Sequence, residues 1–398
     1  MVKTATKVNA AITQKSSVKS TSRSTALVPV EKQKPETEDS SPLGWWFGLN
    51  AWSYQVDSWQ RSVLFLDTLR QRANNMIEHE KNGMPPPLDF KYETVLDART
   101  FDPPANYSML KIIEAEGVCL KDCLDPNKPP VIIVDPRAGH GPGIGGFKRD
   151  SEVGIALHEG YPVYFVIFYP EPEPHQTIAD VLLALRKFVE KAKALHAGKA
   201  PILYGNCQAG WMLTILAADC QGLVGPVVTN GSPLSYWASG EERSPMQIRG
   251  SLAGGTWIAR LMSDLGNGTF DGAWLVENFE KLNPANALWG KYYDLYAHID
   301  TERERFLEVE RWWTGYHSFS EEEITATVQN LFIGDKLERG DLNLYEGCTV
   351  DLKRIKSPLL IFASHGDHTP HRVKHCTGYG RFTRQQMPSK KQGSASPT

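Results

Sequence analysis

Residues 201–212 read PILYGNCQAGWM. The apolar run from Pro201 to Tyr204 predicts a buried strand that stops at Gly205. From Gln208 onward, QAGWMLTILAADC has the composition of a helix. The turn between the two is therefore tight, and Cys207 stands on it. Strand–turn–helix corners of the form G-x-nucleophile-x-G hold the reactive side chain above a sheet, with small flanking residues because the two backbones nearly collide. Gly205-Asn206-Cys207-Gln208-Ala209 fits, with alanine in place of the last glycine and Gly210 immediately after. At a helix N-terminus the backbone dipole favours a thiolate. The bland alternative is a buried structural cysteine, a common core residue.

Working outward, strand and helix patterns alternate from Pro129. PPVIIVDP, YPVYFVIF, APILYG, GPVVTNGSP and SPLLIFASHGD read as strands. SEVGIALHEG and TIADVLLALRKFVEKAKALHAG read as helices. Continuous apolar strands separated by helices predict an α/β architecture, a mostly parallel sheet with helices on both faces. The interval before the last strand is too long for one crossover. It is rich in Trp (Trp257, Trp274, Trp289, Trp312, Trp313) and predicts a helical cap over the C-terminal edge of the sheet. The expected segments are a disordered tail over 1–43, a helical region over 44–105, the first part of the core over 106–234, the cap over 235–350, a core strand with an acid over 351–367, and an aberrant or disordered tail over 368–398. Within the helical region, Trp52, Val56, Trp59, Val63, Leu66 and Leu69 recur at helical spacing until Gly83 and Pro85–Pro87, a helix of about 30 residues. It packs on the domain or presents tryptophans to a partner or an apolar surface.

Composition narrows the classes. A net charge of -3 leaves no nucleic-acid footprint, and no apolar run spans a bilayer. Without an apolar leader near the N-terminus the expected location is cytoplasmic, where six scattered cysteines stay reduced. Cys119 and Cys123 lack a second Cys/His pair, so no metal is expected.

If Cys207 attacks an acyl group, the oxyanion needs donors. The N–H of Gln208 is one candidate. The glycine-rich loop HGPGIGG, with His140, Gly141 and Gly143, is the candidate for the second and for substrate contact. It lacks the Lys-Ser/Thr of a phosphate-binding loop. Asp367, in SHGDHTP after the last strand, is the expected acid. The histidine should follow in a later loop, yet His368, His371 and His375 stand too close behind Asp367.

VIIVDPRAGHGPGIGGFKRDSEVG, GNCQAGW, NGSPLSYW, SDLGNGTFDGAWLVENFEKLNPANALW and GDHTP together resemble an uncharacterised bacterial α/β-hydrolase family related to polyhydroxyalkanoate synthases. The resemblance runs from about Ala51 to Asp367. It implies an α/β-hydrolase fold and a Cys-Asp-His acyl-transfer site, with Asp367 matching the synthases' aspartate and a (hydroxy)acyl-coenzyme A thioester as one substrate class. No cofactor is implied. The expected partners are a small acyl substrate or a polyester, with homodimerisation allowed for and neither nucleic acid nor a membrane span.

Beyond Asp367 the tail HTPHRVKHCTGYGRFTRQQMPSKKQGSASPT departs from the family. Codons read one base out of register permit TPPRQALHWVRPFYASTDAIKKARQRIAY, which resembles the family's continuation. The expectation is a frameshift near codon 368 that removes the histidine and the last strand and helix. Function then divides between a cysteine acyltransferase or hydrolase, crippled in this chain, and a non-catalytic polymer- or envelope-associated binding protein.

Overall fold

The computed structural model describes residues 43–237, 254–345 and 348–363. The tails and the segments 238–253 and 346–347 lie outside the described residues, and so do Asp367 and the stretch on which the expected frameshift falls. The chain divides between Gln55 and Val56. Of the first unit, the described part is the beginning of helix α1, Leu43–Lys81.

Two of the strands that read as continuous apolar runs are buried throughout. β3 (Val131–Val134) and β4 (Val163–Phe168) are buried at every residue, because helices cover both faces. Ile132 and Val134 turn toward α3 (Ile178–Leu195) and α4 (Gln208–Asp219), whereas Val131 and Ile133 turn toward α2 (Glu152–His158). The remaining strands of the main path are β1 (Phe90–Asp97), β2 (Tyr107–Ala115), β5 (Ile202–Asn206), β6 (Val227–Asn230) and β7 (Leu359–Phe362). Their order is β1-β2-β4-β3-β5-β6-β7. β1, β2 and β4 pair antiparallel; the rest are parallel. Val118–Cys119 adds a short strand on β2. This is the α/β-hydrolase fold.

The segment 44–105, expected to be helical, holds α1 only as far as Lys81 and then supplies β1. The alternating polar residues of FKYETVLD follow from its place at the sheet edge, where one face stays wet.

The excursion between β6 and β7 is mostly helical among the described residues, with two short antiparallel strand pairs, Thr269–Phe270 with Phe319–Ser320 and Asn343–Tyr345 with Cys348–Thr349. It contains α5 (Trp257–Leu265), α6 (Gly272–Glu280), α7 (Lys291–Ala297), α8 (Ile299–Trp313) and α9 (Glu321–Thr327). It is fused to the core. Arg137, from the loop after β3, forms a buried ion pair with Glu323 of α9, Nε to Oε1 at 3.0 Å. Arg137 also donates to Ser318 O and Asn106 Oδ1, and Gln176 Nε2 donates to the other Glu323 oxygen. The backbones of Gly139, Gly272 and His317 meet so closely that a Cβ on Gly272 would lie 2.1 Å from His317 O.

Candidate active site

Cys207 is the first residue past β5 and caps the N-terminus of α4. Its backbone has φ 47° and ψ -120°, a conformation that non-glycine residues rarely adopt and that costs on the order of 1–3 kcal/mol. Two hydrogen bonds hold it there: Cys207 N–H donates to Asn230 O at 2.8 Å, and Gly210 N–H donates to Cys207 O at 3.1 Å. The residue is half-buried. α4 below it is buried all round, so the corner rests on a rigid base.

The glycines confirm the crowding of this corner. A Cβ on Gly205 would fall 2.9 Å from Gly210 N. A Cβ on Gly210 would fall 1.8 Å from Ser232 Oγ. Ala209, in place of the second motif glycine, is buried without conflict; the close approach has moved one residue along. Gly210→Ala is expected to lower stability by about 1–3 kcal/mol through overpacking, measured by denaturant unfolding. An unfolding midpoint equal to the parent's would contradict the crowding.

Register places the ends of four strands at the level of this corner. Val134 pairs with Gly205, Asn206 with Asn230, and Asn230 with Phe362. The loops after β3, β6 and β7 therefore leave the sheet at the level of Cys207. Asp367 is five residues past Phe362, outside the described residues. Tyr236, which the sequence did not single out, is buried near Cys207. Burial first, and then the proximity of Cys207 and of Asp335, push its phenol well above its ordinary value. Asp335 of the cap accepts from Ser235 Oγ at 2.6 Å and from Tyr236 N–H at 2.9 Å, and so fixes the loop after β6. NGSPLSYW carried Tyr236 in plain view; Asp335 had no local signal.

The glycine-rich loop departs from expectation. Gly141 N–H donates to Gly315 O at 2.7 Å. The N–H groups of Gly143 and Gly145 donate to the buried Asp135 carboxylate. These donors are committed, so Gly141 and Gly143 do not supply the second oxyanion donor. His140 is packed against Trp312 and Trp313, at 4.2 and 5.6 Å between ring centres. Burial pushes its pKa down to about 4, so it is neutral at neutral pH. His317 is likewise buried, against Phe168, and pushed down to about 3. The loop's free donors come earlier: the N–H groups of Arg137 and Ala138 make no hydrogen bond among the described residues.

Burial pushes the Asp135 carboxyl up to about 7, against the pull of its backbone donors. Between its unfolded value near 3.8 and this one, the folded chain holds a proton that the unfolded chain releases. Stability from this group therefore falls as pH rises through that window, by up to about 1.4 kcal/mol per unit. The buried histidines act in the opposite direction, so the informative quantity is a difference. Unfolding free energies of Asp135→Asn minus parent should rise from pH 5 to pH 7; a flat difference would contradict the assignment.

A cavity of about 620 Å³ opens between cap and core, lined by Ile178, Trp211, Arg260, Thr325, Leu331 and Leu344 among others. Cys207 does not line it, but Trp211 is one helical turn along α4. Among the described residues no His, Cys, Asp and Glu side chains gather as a metal site requires, and no helix is long and apolar enough to cross a membrane.

Residues 57–373 match the family described as "Protein of unknown function (DUF3141)". The match runs past Asp367, where the resemblance read from sequence stops. An uncharacterised protein from the ackA 5′ region of Rhizobium meliloti is 47% identical over 321 residues, 80% of this chain and 43% of its own. The chain thus spans less than half the length of that relative. Among solved structures, a carboxylesterase study of Nitrososphaera gargenis gives 14% identity and a TM-score of 0.41, covering 70% of this chain and 82% of the other. A monoacylglycerol lipase of Paleococcus ferrophilus gives 15% and 0.34, covering 61% and 75%. At these values the likeness says nothing of substrate, and the fold rests on the strand order.

Proposed function

The chain belongs to the DUF3141 family, and from that premise we propose that it carries a cysteine acyl-transfer site of the polyhydroxyalkanoate-synthase type, acting on a (hydroxy)acyl thioester or ester. The observation that carries this reading is the backbone of Cys207: a strained, half-buried thiol at a helix N-terminus, held at φ 47° by two hydrogen bonds. Strain of this kind persists where the surroundings impose it, and it clusters at reactive sites.

In the proposed chemistry the Cys207 thiolate attacks the acyl carbonyl. The oxyanion accepts from Gln208 N–H and from Arg137 or Ala138 N–H. The carbonyl–sulfur or carbonyl–oxygen bond of the substrate breaks, the leaving thiolate or alkoxide takes up the proton that the Cys207 thiol gave to solvent, and the acyl group remains as a thioester on Cys207. Water or an acceptor hydroxyl then takes the acyl group. That second step needs a base, which the resemblance assigns to a histidine oriented by Asp367. Where that histidine stands, and whether the reading frame shifts near codon 368, belong to this proposal. The acyl chain would lie toward Trp211 and the cavity beyond it.

Alkylation rates test the reading. Chloroacetamide at neutral pH should modify Cys207 at least about 10-fold faster than the exposed Cys119 and Cys123. Cys220, buried and pushed up to about 11, should stay unmodified. Equal rates at Cys207, Cys119 and Cys123 would favour the second reading, a binding protein without turnover, which draws on the exposed Trp59 of α1.

A further inference from the structure

Helix α1 has two apolar faces, and the fold uses one. From Val56 onward, Leu64, Phe65 and Leu69 pack against Leu295, Ile299 and Phe306 of α7 and α8. Polar contacts line the same side: Ser58 to Tyr296 OH at 3.1 Å, Arg61 to Ala297 O at 3.0 Å, and Asp67 to Arg303 at 2.9 Å. The opposite face carries Val56, Trp59, Val63 and Leu66, exposed by 37%, 66%, 62% and 64%, and further along Ile77, exposed by 51%.

These exposed residues alternate at intervals of three and four. Val56, Val63, Arg70 and Ile77 occupy one heptad position, and Trp59, Leu66 and Ala73 the other. In sequence the same spacing extends back through Trp52, Leu49 and Trp45. A strict two-per-heptad stripe is narrower than the apolar face of a helix that lies on a core. It is the pattern of a coiled-coil seam; the apolar cap contacts of Leu64, Phe65 and Leu69 lie away from it, and Asp67 on its flank reaches Arg303.

We propose that this face is the seam of a parallel two-stranded coiled coil with α1 of a second copy of the chain. Four features select a second copy. The stripe is self-complementary, as a two-fold contact requires. Val56, Val63 and Ile77 put β-branched residues at the first heptad position, as two-stranded coils prefer, while the other position holds Trp59, Leu66 and Ala73. Of the residues flanking the seam between Gln60 and Met76, Asp67 alone is charged, and it is paired with Arg70 and Arg303. Arg70, the polar residue within the stripe, is neutralised by Asp67 at 2.6 Å and would fix the register. A lipid surface is disfavoured. Helices that lie on membranes carry Lys and Arg along the polar face, whereas residues 43–66 hold one acid and one base, Asp57 and Arg61, paired with each other at 2.8 Å.

Sedimentation velocity of the full chain should give twice the 44.5 kDa chain mass at micromolar concentration. Val63→Lys and Trp59→Glu should each halve that mass, with helical circular dichroism retained, since both side chains are exposed. Val63→Cys should crosslink to itself on mild oxidation, as a parallel alignment requires. A monomeric parent chain would overturn the proposal. A dimer that survives both Val63→Lys and Trp59→Glu would also overturn it. So would a monomer that co-sediments with phosphatidylglycerol/phosphatidylethanolamine vesicles through Trp59.

Discussion

Cys207→Ala is expected to reduce acyl transfer from a short-chain thioester by about 10³-fold or more. The expectation follows from what the substitution removes. The corner, Gln208 N–H and the loop after β3 stay in place, so donors for an oxyanion remain, but the atom that forms the covalent intermediate is gone. The fold should tolerate the change, because the side chain is half-buried and alanine is small. The substitution does not relieve the φ of 47°, which is strained for any residue but glycine. Cys207→Gly should therefore gain stability, by up to about 1 kcal/mol from the strain released, while losing activity just as fully. Stability and turnover moving in opposite directions would separate a reactive position from a structural one.

Glu323→Ala is expected to cost about 3–5 kcal/mol of folding stability. It would leave the Arg137 guanidinium buried and uncompensated beside the rings of Tyr107, Phe168 and Phe319, 5.6, 5.3 and 4.8 Å from their centres. Both partners are nearly inaccessible, with 3% and 6% side-chain exposure. The double variant Arg137→Met/Glu323→Leu should recover most of the loss, since an ion pair replaced by apolar side chains of similar volume is often neutral. A control on the surface, Glu190→Ala, removes the half-exposed partner of Arg186 and should change stability by no more than about 0.5 kcal/mol. Denaturant unfolding reads all three. A loss at Glu323 as small as at Glu190 would contradict the buried pair. The pair also bears on function. It joins the loop after β3, the proposed oxyanion segment, to α9 of the cap.

What could be read from sequence follows from how far each residue's partners lie along the chain. β3 and β4 were legible because strands buried on both faces must be apolar at consecutive positions, as VIIV and VYFVIF are; β7 was legible from LLIF although Leu360 and Phe362 are exposed among the described residues. β1 was hidden, because an edge strand alternates and FKYETVLD looks like surface. The corner at Cys207 was legible, since its glycines answer to local crowding. The loop at His140 was misread for the opposite reason. A glycine-rich, histidine-bearing stretch reads as open to substrate, yet it is buried by Trp312 and Trp313 from a distant helix. The commitment of Gly143 N–H to Asp135 had a local signal: an acid directly after a strand and eight residues before the glycine can staple such a loop. Tyr236 and Asp335 act through a contact across 99 residues that no periodicity announces.

Intact-protein mass spectrometry after brief exposure to a small acyl thioester tests the central claim most directly. The first half-reaction needs only a thiolate and oxyanion donors, so it does not depend on where the base stands. The expected result is one acyl group per chain, mapped to the peptide that contains Cys207 and absent from Cys207→Ala. Adducts spread over Cys119 and Cys123, or a Cys207 that stays unacylated while they react, would contradict it.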